Sequence, residues 1–263
     1  MNSSDNREQP PLIRALLRPD AYDHPVDRLE LVETHISWLL LTGPFAYKIK
    51  KPIDLGYIDF STLELRRRYC HEEIRLNRRL APDTYLEVTS ITGSIDSPRL
   101  SSNDDGAIDY AVKMIQFSRT NELDRVVERC ELTRSQIESL GRLIANFHES
   151  IERAGPESNY GNGEQVLKPV EENFKQIRQR IPDRESLKEL EQVEKWSRDQ
   201  FQRLETVFER RKEEGYAREC HGDLHLANIA WIDGKPLVFD CIEFNPSLRW
   251  IDVLSEIAFL TMD

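Results

Sequence analysis

The sequence predicts an α+β chain of two lobes, a small antiparallel sheet with one main helix followed by a larger, mostly helical part. Three observations carry this reading. Short β-branched and alternating runs, punctuated by turn residues, recur between Leu29 and Phe117 around one helix. The composition changes from strand-like to helical across Ser118-Arg-Thr-Asn121, which sets the lobes at 1–117 and 118–263. Beyond that point apolar residues recur at helical spacing behind capping signals.

In chain order, Leu12 to Leu17 is a short apolar helical patch closed by Pro19. Leu29 to Lys51 breaks at Thr42-Gly43-Pro44, so one strand ends near Leu41 and the next runs Phe45 to Lys50. A further break from Thr34 to Ser37 offers a division of the first into two, making three strands, and Pro52 ends the last. Ser61 and Glu64 have capping-box spacing and open a helix that reaches Leu80 before Pro82. Its Tyr69, Glu73, Leu76 and Leu80 fall on one stripe. A carboxylate on a packed stripe calls for a partner, and Glu72 is the less inward neighbour. Arg66-Arg-Arg68 reads as a solvated basic face. Tyr85 to Thr92 and Ile108 to Phe117 are two more strands around a polar loop, Ser94 to Gly106.

In the second lobe Thr133 and Gln136 cap a helix whose apolar face is Ile137, Leu140, Ile144, Phe147 and Ile151. His148, beside that face, reads as a packed histidine. A loop follows from Gly155 to Gly163, then a short helix from Pro169 to Ile181. Ser186 to Glu214 is a long charged helix that Gly215 stops.

The 263 residues carry 47 acidic against 36 basic side chains, a formal net charge of −11. Such a surface repels phosphates, which disfavours nucleic acid as a partner. No apolar run approaches the roughly 20 residues that span a bilayer. Met1 to Pro10 lacks an apolar h-region, so neither a membrane nor a signal peptide is expected and the cytoplasm is the default compartment. Cys70, Cys130, Cys220 and Cys241 form no C-x-x-C pair, which leaves reduced thiols as their reading.

The chemistry gathers after Gly215. Cys220-His-Gly-Asp-Leu-His-Leu-Ala-Asn-Ile229 packs polar groups into a short loop, and Ile229 to Asp240 reads as a hairpin turning at Asp233-Gly234. A hairpin holds its ends close, so Asn228 and Asp240 should be neighbours, with Asp223 in the loop leading in. Two carboxylates and an amide form an oxygen-rich set suited to a hard dication such as Mg²⁺. Phosphoryl transfer uses such a set, with one carboxylate left to accept the proton of the attacking hydroxyl.

These residues resemble a known family. His221-Gly-Asp223 followed by Asn228 is similar to the H-G-D-x-x-x-x-N catalytic loop of the aminoglycoside phosphotransferase-like kinases, which share the bilobal protein-kinase-like fold. Protein kinases keep the spacing with Arg in place of Gly. Asp240, in Val-Phe-Asp-Cys, matches their metal-binding aspartate. Upstream, Phe45-Ala-Tyr-Lys48 has the form of the phosphate-gripping lysine and Glu73 that of its partner, with Lys50 on the same strand face as the alternative.

The resemblance implies ATP- and Mg²⁺-dependent transfer to a hydroxyl of a small molecule. Asp223 would be the catalytic base, Asn228 and Asp240 the metal ligands, and Lys48, held by Glu73, the group on the phosphates. Adenine would lie against Met114, Ile115, Gln116 and Phe117, and Asp252 would brace the catalytic loop. Glu33 to Ser37 holds no glycine where protein kinases have a glycine-rich loop, so hydroxyls of Thr34 or Ser37 would stand in.

Tyr47 to Pro52, Ile58 to Leu63 and Arg75 to Pro82 resemble a bacterial branch whose members often carry a P-loop kinase-like domain. That domain, fused or separate, is therefore an expected partner. The chain stops at Asp263 inside an apolar helical run, Val253 to Met262, so a truncated chain or a shortened member is expected. The competing reading is a nucleotide-binding regulatory module that has lost catalysis. Protein kinase activity would call for an activation segment ending in Ala-Pro-Glu, which the sequence lacks.

Overall fold

The computed structural model describes residues 9–101 and 103–263; the signal-peptide expectation rests mainly on Met1–Glu8, outside the described residues. The chain divides into two compact units, Met1–Gln136 with Leu226–Asn245, and Ile137–His225 with Pro246–Asp263. They are drawn differently from lobes 1–117 and 118–263, because 118–136 and 226–245 belong with the first unit.

The strands are β1 (Glu30–Glu33), β2 (Ser37–Leu41), β3 (Phe45–Lys50), β4 (Tyr85–Ser94), β5 (Ser97–Ser101), β6 (Asp109–Ile115), β7 (Ala217–Glu219), β8 (Ile229–Ile232), β9 (Lys235–Val238) and β10 (Trp250–Asp252). The helices are α1 (Pro11–Leu16), α2 (Leu63–Asn77), α3 (Leu123–Glu128), α4 (Arg134–Ser150), α5 (Gly163–Arg178), α6 (Arg184–Glu213), α7 (Pro246–Arg249) and α8 (Val253–Met262). The α+β expectation holds.

In the first unit the described residues form a six-stranded antiparallel sheet in the order β1-β2-β3-β6-β4-β5, beside the β8–β9 hairpin. Each face of the sheet carries its own core. Ile13, Leu16, Trp38, Leu40, Tyr47 and Ile49 fill one; Ala46, Cys70, Ile74, Tyr85, Val112 and Met114 fill the other with α2. Period-2 alternation along β3 divides the strand between them, and Lys48 and Lys50 follow Ala46 to the α2 side. Both lysines are buried there.

Three expectations in this unit are corrected. Part of the supposed loop from Ser94 to Gly106 is the edge strand β5, whose only inward residues are Pro98 and Leu100. A proline is tolerated at a sheet edge and masks a strand in the sequence. The cap of α2 is Thr62, whose hydroxyl accepts the Leu65 N–H at 3.2 Å, and the helix ends at Asn77, short of Leu80. Arg66 leaves the solvated face: it is buried and donates to Asp109 at 2.8 Å and to the Phe60 carbonyl at 3.0 Å.

In the second unit α5 begins at Gly163, earlier than Pro169, because the Asn162 side chain caps it and Glu209 accepts the Gly163 N–H at 2.9 Å. Pro169 lies inside the helix. β7 and β10 pair in register Trp250↔Glu219 to Asp252↔Ala217, which brings the two strands flanking the polar loop and α7 side by side. Among the described residues no helix is long and apolar enough to cross a membrane.

The Arg66–Asp109 pair generates a test. Asp109→Ala leaves a buried guanidinium without its carboxylate and is expected to lower stability by about 3–5 kcal/mol in urea unfolding. Arg68→Ala, on the exposed side of the same run, should stay within about 0.5 kcal/mol. Equal midpoints for the two variants would remove the pair from the account of the fold.

Candidate active site

The β8–β9 hairpin turns through Asp233 and Gly234, whose φ values of +50° and +76° are those of a type I′ turn. At its open end the Phe239 N–H donates to the Asn228 carbonyl at 3.0 Å, so Asn228 and Asp240 stand at the same end. Asp240 itself has φ +66°, a conformation aspartate adopts more readily than most residues. Its N–H donates to the Tyr85 hydroxyl at 3.1 Å, and its side chain keeps 43 % exposure. Asn228 is buried.

Asp240 meets Lys48. The Lys48 ammonium is ion-paired with the Asp240 carboxylate and lies 2.9 Å from Glu73 Oε1, a contact without hydrogen-bond alignment. Glu73, fully buried on α2, gives its other oxygen to Lys50 at 2.6 Å. Lys50 in turn is ion-paired with Glu243, also buried. Two ammonium groups thus face three carboxylates, and burial, with Glu73 nearby, pushes the Glu243 carboxyl up against the pull of Lys50. Burial opposes the charge of Lys48, but Asp240, Glu73 and Glu243 outweigh it and hold its pKa well above the usual lysine range. Lys50 shifts the same way against the same opposition from burial, through Glu243 and Glu73.

Glu73 is therefore the inward carboxylate that the stripe on α2 points to. Its rival Glu72 pairs with Arg75 on the exposed side at 2.7 Å. Sequence reasoning missed Glu243, Tyr85 and Asn77. Asn77 donates to the Glu73 carbonyl at 2.9 Å and accepts the Cys241 N–H at 2.9 Å, tying α2 to the segment after Asp240. A signal existed for Asn77, since it lies one helical turn from Glu73. Glu243 sits outside any strand or helix, where no periodicity marks an inward residue.

The remaining expected nucleotide contacts lie at two places. The Thr34 hydroxyl is committed to the β1–β2 turn, donating to the Ser37 carbonyl at 3.2 Å and accepting the Ser37 N–H at 3.0 Å. Ser37 stands opposite Lys50 in the sheet, and its buried hydroxyl has no hydrogen-bond partner among the described residues. At the end of β6, Met114 is buried while Ile115 is exposed. The Ile115 and Gln116 N–H groups donate to the Thr84 and Pro44 carbonyls at 2.9 and 3.1 Å. Phe117 packs edge-on to Phe239 with ring centres 5.1 Å apart.

In the second unit the loop bearing Asp223 is held through its backbone. The N–H groups of His221 and Gly222 both donate to Glu256 Oε1, at 2.6 and 2.8 Å, and His148 Nε2 bonds Glu256 Oε2 at 2.6 Å. Gly222 has φ +91°, and a Cβ there would stand 2.9 Å from the Leu248 carbonyl oxygen and 3.1 Å from Arg249 Cβ. Only glycine fits such a turn and approach. The Asp223 N–H donates to His221 Nδ1 at 3.3 Å, and its half-exposed carboxylate lies 3.6 Å from His225 Nε2.

The family model described as the phosphotransferase enzyme family matches residues 60–262. The chain belongs to the phosphotransferase enzyme family. That family has the protein-kinase-like fold, in accord with the sheet-then-helix order described above. The chain is also similar to Rv2004c and MT2060 of Mycobacterium tuberculosis and to Mb2027c of Mycobacterium bovis, each described as an uncharacterised protein. Each is 29 % identical over an alignment of 243 residues, with 91 % of this chain and 47 % of the relative covered. The chain spans about half the length of the curated relatives it matches.

Within this phosphotransferase-family chain the matched stretch includes Glu73, Asp223, Asn228, Asp240 and Glu243, whereas Lys48 precedes it and stands on its ion pairs alone. One expectation is overturned. Asp252 does not brace the Asp223 loop; both its oxygens go to Arg211, at 2.6 and 2.9 Å, and one also caps α8 through the Leu254 N–H. Glu256, one turn further along α8, takes the bracing place.

Burial pushes the Glu256 carboxyl up, yet the His148 bond, the nearby His221 and the Gly222 N–H prevail and leave its pKa lowered. A carboxylate lowered on folding stabilises fully above its unfolded pKa, about 4.3, and loses that effect as pH falls through its folded value. The stability gap between wild type and Glu256→Gln, measured by unfolding at a series of pH values, is expected to be constant near neutrality and to close in acid. A gap that persists unchanged at the lowest pH would contradict the assignment.

Proposed function

We propose that this chain transfers the terminal phosphoryl group of ATP, with Mg²⁺, to a hydroxyl of a small molecule in the cytoplasm. The observation that carries the reading is a buried lysine, Lys48, set between Glu73 and the solvent-facing carboxylate of Asp240. The donor set fits a hard dication. It offers oxygen ligands from Asp240 and Asn228 at one end of a hairpin. Bound magnesium would offset the charge of the phosphates.

Lys48 would bind phosphate oxygens, its ammonium kept charged by the surrounding carboxylates, with Glu73 setting its direction. Of the two hydroxyls near the β1–β2 turn, Ser37 is the one left uncommitted, with Thr34 shaping the turn. The segment Met114 to Phe117 would take the base through backbone groups other than the Ile115 and Gln116 N–H. Asp223, half-exposed on a loop whose backbone Glu256 holds, would orient the acceptor hydroxyl and take its proton. On this reading residues 1–117 carry nucleotide binding, and 118–263 carry catalysis and the acceptor. The P-loop kinase-like partner domain belongs to the same reading, supported by the sequence resemblance and the greater length of the relatives.

The test is ATP consumption against panels of aminoglycosides, sugars, amino alcohols and nucleosides. Asp223→Ala is expected to lower turnover by about 10²–10⁴-fold while Mg-ATP affinity, read by calorimetry, changes little. Full turnover in that variant would exclude Asp223 as the base. Mg-ATP binding with no product from any panel would instead favour a regulatory nucleotide-binding module.

A further inference from the structure

Lys50 is the second lysine on the inner face of β3, and its surroundings differ from those of Lys48. Its side chain is 1 % exposed, enclosed by Glu73 Oε2 at 2.6 Å, by Glu243, and by the Phe60 ring with its centre 4.9 Å away. An ammonium closed in this way has no side open to a phosphate. Burying a lysine–glutamate pair strips both ions of water before attraction repays it, and apolar side chains of similar volume commonly serve stability as well or better. Stability alone therefore gives little reason for this pair.

Its position supplies one. Glu73 has two oxygens, and Lys50 holds Oε2, so Lys48 meets Oε1 alone. Without Lys50 the Glu73 carboxylate would be free to turn both oxygens on Lys48 and draw its ammonium toward α2. Glu243 lies three residues after Asp240, on a segment anchored to α2 by the Asn77–Cys241 bond and to the stretch before α2 by Phe60 against Phe244, ring centres 6.2 Å apart. Lys50 thus joins the carboxylate that orients Lys48 to the segment that carries Asp240.

We propose that Lys50 and Glu243 are positioning residues: they fix Glu73 so that Lys48 and Asp240 stand ready for a metal-bound triphosphate. The inference rests on the proposed nucleotide role of Lys48 and Asp240, and it separates the two lysines of β3 into one that touches nucleotide and one that does not.

The experiment compares wild type, Lys48→Met, Lys50→Met/Glu243→Leu and Glu243→Gln, each by thermal unfolding and by calorimetric titration with Mg-ATP. The double variant replaces the pair with apolar groups but leaves Glu73 Oε2 without its cation, so its melting temperature is expected to fall and its titration is run well below that temperature. Its Mg-ATP affinity should fall about 10–100-fold, the loss usual for groups that orient a metal ligand. Glu243→Gln keeps the shape beside Lys50 and guards against a double variant that does not fold; it should lose affinity in the same direction. A double variant, or Glu243→Gln if the double does not fold, that binds Mg-ATP as tightly as wild type would show a purely structural pair and overturn the proposal. Wild type that binds no Mg-ATP would instead defeat the underlying ATP reading, so the two failures are distinct.

Discussion

A carboxylate with no solvent contact must be met by cations or donors on every side, and Glu73 is such a group. Most of what positions the first unit's site follows from that requirement. Both cations come from β3, whose alternation delivers Lys48 and Lys50 to one face, so the register of β3 between β2 and β6 sets where the charges stand. The helix must present Glu73 at the same height, which its Thr62 cap and the Asn77 contacts secure. Each lysine then needs a second anion, and Asp240 and Glu243 meet that need from one short segment.

The second unit solves a related problem by other means. The loop before Asp223 has backbone donors that must be satisfied, and one carboxylate, Glu256, accepts two of them while its other oxygen bonds His148. The β7–β10 pair and the Arg249–Glu219 ion pair, 3.1 Å, hold the strands around this loop. Asp223 therefore extends from a scaffold whose order depends on two buried acids, Glu219 and Glu256. His148, read from the sequence as a packed histidine, is indeed packed, but as the partner of one of those acids.

Much of this was legible in the sequence where a residue broke a local rule. Glu73 stood out as a charge on an apolar stripe, and the Asp-Gly turn fixed the hairpin and hence the proximity of Asn228 and Asp240. The three strands between Glu30 and Lys50 followed from their breakers. What escaped lacked such a mark. Glu243 belongs to an irregular segment, and Arg66 shares its neighbourhood with two exposed arginines of the same type. Asp252 and Glu256 sit a turn apart near the start of one helix, and only three-dimensional contacts tell which reaches the loop backbone. β5 and the first turn of α5 were hidden by prolines that fold context tolerates.

Gly222 has one more consequence. The position before the proposed base is pressed against Leu248 and Arg249 in a backbone conformation that other residues resist. Protein kinases have an arginine at the equivalent place, whereas here even a methyl group meets a carbonyl oxygen. The loop consequently carries no cationic side chain at that position to sense a phosphate attached elsewhere on the polypeptide.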